Sequence, residues 1–191
     1  MSSRAMVLIE RLNAAPPLVR RLPAEAVPPP LRNGPEDAEG WVEWRAVAST
    51  RHLLSVEALF PSTRADGVAD FIGLYGHFEF LDFQAADARV VGLAGRAFGT
   101  SEMAPDCWAG RAVSPFAVGT VPFGRDIDSN DPLVIVAEAQ RARSHVMEPG
   151  LAVQEGDVLR LRGGQLWAIS STGNRLTFSG LVDRLAAELT R

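Results

Sequence analysis

The chain has 191 residues, enough for one well-cored domain with a small appendage. Apolar residues make up 47% and charged residues 22%, the balance of a globular rather than a disordered chain, and no apolar run approaches the ~20 residues that cross a bilayer. All 19 basic residues are Arg, which excludes lysine Schiff-base chemistry and a Walker-type phosphate lysine. A net charge of −4 with no basic cluster longer than Arg20–Arg21 makes nucleic acid a poor partner.

The one cysteine, Cys107, cannot form an internal disulfide. The opening residues MSSRAMVLIERLNAAPP break their apolar run at Glu10 and Arg11. No secretory leader is expected, and a reducing cytoplasm is the expected compartment. Ser3 to Asn13 is predicted as a short amphipathic helix with Met6, Ile9 and Leu12 on one face. A proline-rich tract follows, from Pro16–Pro17 through Pro23 and Pro28–Pro30 to Pro35. Such density forbids a continuing helix and favours extended polyproline backbone. Residues 1–40 therefore read as an N-terminal helix and a Pro-rich connector that either wraps the domain or stays mobile. Residues 41–191 read as a single domain.

From Trp41, WVEWRAVAS alternates as a strand, with Trp44, Ala46 and Ala48 on one face. LLSVEALF is a short helix stopped by Pro61, and Ser62 or Thr63 can cap the next helix, RADGVADFIGLYGHFEF. There Val68, Phe71, Ile72, Tyr75 and Phe78 repeat at helical spacing. Gly73 and Gly76 each weaken this helix by about 1 kcal/mol relative to Ala, so close packing is their expected purpose. Then the signal turns to β: ARVVGLAG, a hairpin around Asp126–Asp131, ARSHVM, DVLRLRG and QLWAISS, with a tight turn at Gly163–Gly164. Thr177 caps a closing helix whose apolar face is Phe178, Leu181, Val182, Leu185 and Leu189. Helices, then strands, then a helix predict an α+β fold. Its sheet is expected to be antiparallel or mixed, with about five or six strands and helices packed on it.

The densest candidate chemistry lies in TVPFGRDIDSNDPLVIV, where Asp126, Asp128, Asn130 and Asp131 crowd oxygen atoms into one turn. Asp126, Asp128 and Asn130 fit the first ligand positions of an EF-hand loop, but its obligatory Gly is Asp131 and its closing Glu is Ala137. A solvated hairpin turn is the expectation, since Asp and Asn favour turn geometry. Cys107 in PDCWAG and the histidines His52, His77 and His145 lack the context of a catalytic pair, and no G-x-S-x-G elbow is present. Gly92, Gly95 and Gly99 miss the dinucleotide fingerprint, and one Cys with dispersed His gives no zinc spacing. No catalytic set, cofactor or metal is therefore expected. Among the tryptophans, Trp44 and Trp167 fall in strand patterns and read as core. Trp41 and Trp108 fall in loops or at an edge, where an exposed ring can anchor a partner.

Several of these segments together resemble the SUKH superfamily, which contains the SecY-interacting Syd-like proteins and many bacterial toxin-immunity proteins. WVEWRAVAS resembles its Trp-containing opening, LLSVEALF its "(V/I)E-x-x-L" helix, and ADGVADFIGLYGHF the following helix with an aromatic–Tyr–Gly ending. FAVGTVPFGRDIDSNDPLVIV resembles the family's central hairpin, in which an "x-P-h-G" strand end leads into an acidic turn, and LTFSGLVDRLAAEL resembles its closing helix. The resemblance spans Trp41 to Leu189. The stretch from Gly92 to Ala117 does not follow the Syd pattern, and the proline-rich region has no counterpart. What the resemblance implies is an α+β fold with a non-catalytic, protein-binding role, most often immunity against a toxin. The candidate partner-binding residues are then Asp126, Asp128, Asn130, Asp131, Trp41 and Trp108. A regulatory or assembly factor that binds a cellular protein is the alternative, and a small hydrolase or metal enzyme using Cys107 or the acidic turn is a further one.

Overall fold

Branched and aromatic residues bounded by turn signals set where strands form, and apolar stripes at helical spacing set where helices pack on them. The computed structural model describes residues 2–60, 65–169 and 175–190. Its first part holds α1 (Ser3–Ala14), α2 (Pro17–Arg20), β1 (Arg21–Pro23), β2 (Trp41–Glu43), β3 (Val47–Ala48), α3 (Leu53–Glu57), α4 (Asp66–His77) and β4 (Phe78–Glu79). β5 (Phe83–Ala85), β6 (Ala88–Val90), β7 (Thr120–Asp126), β8 (Pro132–Val136), α5 (Ala139–Arg143), β9 (Val158–Arg162), β10 (Gln165–Ala168) and α6 (Phe178–Glu188) follow. The fold is α+β, built on a six-stranded antiparallel sheet in the order β10-β9-β8-β7-β6-β5.

Alternation along the strands divides the core between the two faces of this sheet. Leu133 and Ile135 of β8, with Val121, Phe123 and Val158, join α1, α4 and α6 in the main core. Val134 and Val136 point the other way and pack with Leu159, Leu161 and Leu166 against Ala139 and Ala142 of α5. The continuous apolar run PLVIV follows from burial on both faces. Phe71 of α4 is the hub of the main core, with ring centroids 5.3 Å from Phe60, 4.7 Å from Tyr75, 6.2 Å from Phe123 and 5.1 Å from Phe178.

The predicted closing helix is present. The Thr177 hydroxyl accepts the Gly180 N–H at 3.1 Å, and Phe178, Leu181, Val182, Leu185 and Leu189 are buried. The expected close packing at Gly73 is also present, because a Cβ there would lie 2.8 Å from the Ser2 Cβ. Ser2 donates its hydroxyl to the buried Asp70 carboxylate of α4, which also pairs with Arg4 at 3.5 Å, so α1 is tied to α4.

The structure also corrects several expectations. Helix α1 packs into the main core through Ala5, Leu8, Ile9 and Leu12. Of the predicted face, Met6 is exposed while Ile9 and Leu12 are buried, because the buried stripe runs at 5, 8, 9 and 12. Of the two courses expected for the proline-rich tract, it takes the first and wraps the domain: β1 pairs with β2, and the buried Arg20 donates to the carbonyls of Ala15 and Trp44, each at 3.0 Å. WVEWRAVAS is not one strand. Its start pairs with β1 and its end with β4, outside the main sheet; Trp44 and Ala46 are buried but Ala48 is exposed. ARSHVM ends α5 and turns, because Ala139 and Ala142 dock on the sheet at helical spacing and Val146 makes only a single bridge to Leu166. Trp167 is half-buried rather than core. The N-cap position of α4 is Ala65, with no side-chain cap; Pro61, Ser62 and Thr63 lie outside the described residues, as do Ser170 and Ser171 at the end of QLWAISS.

The Tyr75 hydroxyl donates to the Phe123 carbonyl at 3.1 Å, inside the core. Phe71→Ala is expected to lower unfolding free energy by about 3–5 kcal/mol, from lost burial plus a cavity. Tyr75→Phe is expected to cost about 1 kcal/mol, because the Phe123 carbonyl keeps its bond from the Val91 N–H. Urea denaturation of both variants checks the magnitudes and their order.

Candidate functional site: the acidic hairpin between β7 and β8

Strand β7 contains a proline, Pro122, although it lies inside the sheet. Proline has no N–H for a ladder and is tolerated in a central strand only at an irregularity. The register shifts between Pro122 and Gly124, and this bulge accommodates it. The extra residue, Phe123, enters the aromatic core, edge-on to Phe178 at 5.2 Å. Gly124 follows because a Cβ there would stand 2.5 Å from the Arg89 carbonyl oxygen on β6. The Pro-Phe-Gly run thus delivers the chain into the turn at residues 127–131 with its direction set.

The predicted hairpin is present, and its four oxygen-bearing residues point different ways. Asp126 turns inward: one carboxylate oxygen accepts both the N–H and the hydroxyl of Ser129, each at 2.8 Å, and the other lies 3.7 Å from Arg160. Burial alone would push the Asp126 carboxyl up, but the Ser129 hydrogen bonds and the Arg160 charge outweigh it and hold it below the usual carboxylate range. Asp131 turns sideways to the Arg162 guanidinium of β9, at 2.7 and 2.9 Å. Asn130 takes the left-handed conformation that closes the loop, with φ of 58°. Of the three carboxylates, Asp128 is the one that faces solvent without a side-chain partner among the described residues, beside the 46%-exposed Ile127. The carboxylates do not converge. Among the described residues no group of three or more His, Cys, Asp and Glu is placed to hold a metal ion.

The tip is braced from both neighbouring strands. The Ile127 N–H donates to the Asp87 carbonyl at 3.0 Å, in the turn between β5 and β6. Arg125 donates to the Asn130 carbonyl at 3.1 Å and to the Glu102 carboxylate at 3.0 Å. The Glu102 carbonyl in turn accepts the Trp108 indole N–H at 2.7 Å, and the Arg111 guanidinium stacks 4.8 Å from that ring. Trp108, expected at a loop or edge as a partner anchor, is buried, so it acts on the hairpin only by holding the Glu102 segment in place. Sequence reading missed Glu102, Arg125, Ser129, Arg160 and Arg162. Of these only Ser129, three residues after an Asp within a turn, carries a local signal.

Trp41 is 38% exposed and lies under Arg21, 5.6 Å from its ring. It belongs to the small β1/β2 sheet rather than to the hairpin's sheet, and Arg21 is itself held by Asp37 and Glu39. Cys107 directs its thiol at the Gly99 carbonyl, 3.6 Å away, and no hydrogen bond joins it to a histidine among the described residues. His145 lies in the turn after α5, not in a strand. His52 is buried beside Phe98, with its Nε2 unpartnered.

No protein-family model matches the chain, and no curated protein is significantly similar to it. Among the described residues no helix is long and apolar enough to cross a membrane.

Asp126→Ala is expected to destabilise the protein by about 1–2 kcal/mol at pH 7, the scale of a lost carboxylate cap. A carboxyl held low in the folded state contributes stability above its unfolded pKa and loses it as pH falls through the folded value. The gap between variant and parent in urea midpoint should therefore close below about pH 4. His52 predicts a second pH effect. Burial pushes its imidazole down, with the Arg51 charge in the same direction and Glu79 and the Leu93 backbone opposing. Stability should be level above about pH 6.5, where the unfolded imidazole is also neutral, and should decline as pH drops below it. His52→Leu should flatten that decline in midpoint-versus-pH curves.

Proposed function

We propose that the chain is a non-catalytic protein-binding module, an immunity protein that neutralises a cognate bacterial toxin in the cytoplasm by direct contact. The observation that carries this reading is the braced hairpin tip. Ile127, Asp128 and Asn130 are exposed on a turn held by Asp126–Ser129, Arg125–Asn130 and the Asp87 carbonyl. A pre-ordered tip loses little conformational freedom on binding, and an apolar side chain beside an unpaired carboxylate suits a cleft with a greasy floor and a basic rim. A toxin that binds an anionic substrate offers such a cleft, and seating the tip there would block it. The resemblance of the hairpin and of helices α4 and α6 to the SUKH pattern supports the same reading.

The geometry alters which residues test it. Asp126 and Asp131 are occupied within the fold, so reversing them would damage the turn as well as any interface. Asp128→Arg and Ile127→Ser leave the Asp126, Asp131 and Arg125 side-chain bonds in place and are expected to weaken binding by about tenfold or more each. The measurement is co-expression with the toxin domain encoded beside this chain, followed by co-purification and titration of the variants. Persistent toxicity with no complex overturns the immunity reading, and a complex indifferent to both variants removes the hairpin from its interface. Capture of a housekeeping protein through the same tip would instead favour a regulatory or assembly role.

A further inference from the structure

Strand β5 is the outer strand of the six-stranded sheet. Its connection to β6 is the two-residue turn Ala86–Asp87, with both residues at positive φ. The backbone of Asp87 and of Val91 bonds across to β7, through Ile127 N–H to the Asp87 carbonyl and Val91 N–H to the Phe123 carbonyl, each at 3.0 Å. Alternation then turns Ala88 and Val90 toward β5, where they meet Ala85 and Phe83. Gln84 lies between those two and opposite Arg89, so its N–H and C=O point away from the sheet. Such an edge is a template for another strand unless it is covered.

It borders a groove of about 590 Å³ instead. Leu81, Asp82, Phe83 and Gln84 form one wall, and Leu18, Val19, Leu22 and Ala26 form the other. Leu18 is 93% exposed. Val19 and Leu22 pack against the same core as Phe83. The rim carries two guanidinium groups, Arg89 and Arg96, against the single carboxylate of Asp82. That carboxylate is already engaged by the Gly92 N–H and by Arg89, each at 2.9 Å, while Arg96 stands 3.8 Å off.

We propose that this groove binds an extended segment of a partner protein as a seventh strand on β5, with apolar and acidic side chains alternating along the segment. Strand addition supplies the backbone affinity, through the free N–H and C=O of Gln84. The residue opposite Gln84 puts its side chain on the face of Gln84 and Arg89, where an acidic group meets the excess positive charge. The residues flanking it turn to the face of Phe83, where apolar groups meet Val19 and Leu22. This surface is independent of the hairpin tip and goes beyond the toxin-binding reading.

The probe is an acetylated hexapeptide alternating valine and glutamate, with a valine–lysine peptide as control. Amide hydrogen exchange at Gln84, followed by NMR on the full chain, is expected to slow about tenfold or more at saturation with the glutamate peptide. The lysine peptide, and the Arg96→Glu variant with the glutamate peptide, should each bind about tenfold more weakly. Asp128→Arg should leave the protection unchanged, which separates this site from the hairpin. Gln84 exchange that does not respond, or equal protection by the lysine peptide, overturns the proposal. So does Gln84 protection in the free protein that vanishes on dilution from dimer to monomer in sedimentation, because the occupant is then a second copy.

Discussion

The bulge at Pro122–Gly124 is the constraint on which the rest of the molecule depends. It lets a proline sit inside the sheet, sends the Phe123 ring against both Phe71 and Phe178, and turns the Phe123 carbonyl to two donors, Val91 N–H and the Tyr75 hydroxyl. One residue thereby joins the sheet to α4, α6 and β6. Without the extra residue, the alternation beyond it would invert. Arg125 and Asp126 of β7 would then exchange faces, and Asp126 would lose its place beside Ser129 and Arg160.

The same geometry makes the hairpin tip rigid. Its acidic residues do unlike jobs: Asp126 caps the turn, Asp131 neutralises Arg162 of the neighbouring strand, and Asp128 alone is free to meet something else. A row of carboxylates in sequence is therefore a single free carboxylate in space. Trp108, Glu102 and Arg125 extend the bracing to the loop between β6 and β7, so a buried tryptophan remote from the tip helps to hold it. At the sheet's edge the logic reverses. There β5 ends the sheet, bordering a groove lined by Leu18, Val19 and Leu22 with Arg89 and Arg96 at its rim.

Much of the helical framework was legible in the chain because each signal is local. A threonine at 177 can cap only the helix that begins beside it, and the apolar spacing from Phe178 to Leu189 has one face to bury. The turn at Gly163–Gly164 and the hairpin around Asp126–Asp131 were legible for the same reason. Expectations failed where a distant partner decides the outcome. Val47 and Ala48 pair with β4 rather than continuing β2, and Ala142 docks as a helix on the back of the sheet, against strands whose placement its own neighbours do not encode. Trp108 read as a loop or edge residue and a candidate partner anchor because its surroundings are irregular, yet its burial depends on a carbonyl six residues earlier and on Arg111 stacked over the ring.

Composition and periodicity by themselves determined the α+β class, the capped closing helix and the central hairpin, since all of these rest on residue type and short-range spacing. Tertiary structure alone decided that the proline-rich tract wraps the domain and that α1 belongs to its core. It also decided which of the three turn carboxylates remains available and that β5 ends the sheet. Those outcomes depend on contacts between segments far apart in the chain. The free energy of burying Leu8 against α6, or of pairing Asp131 with Arg162, exists only once both partners are in place.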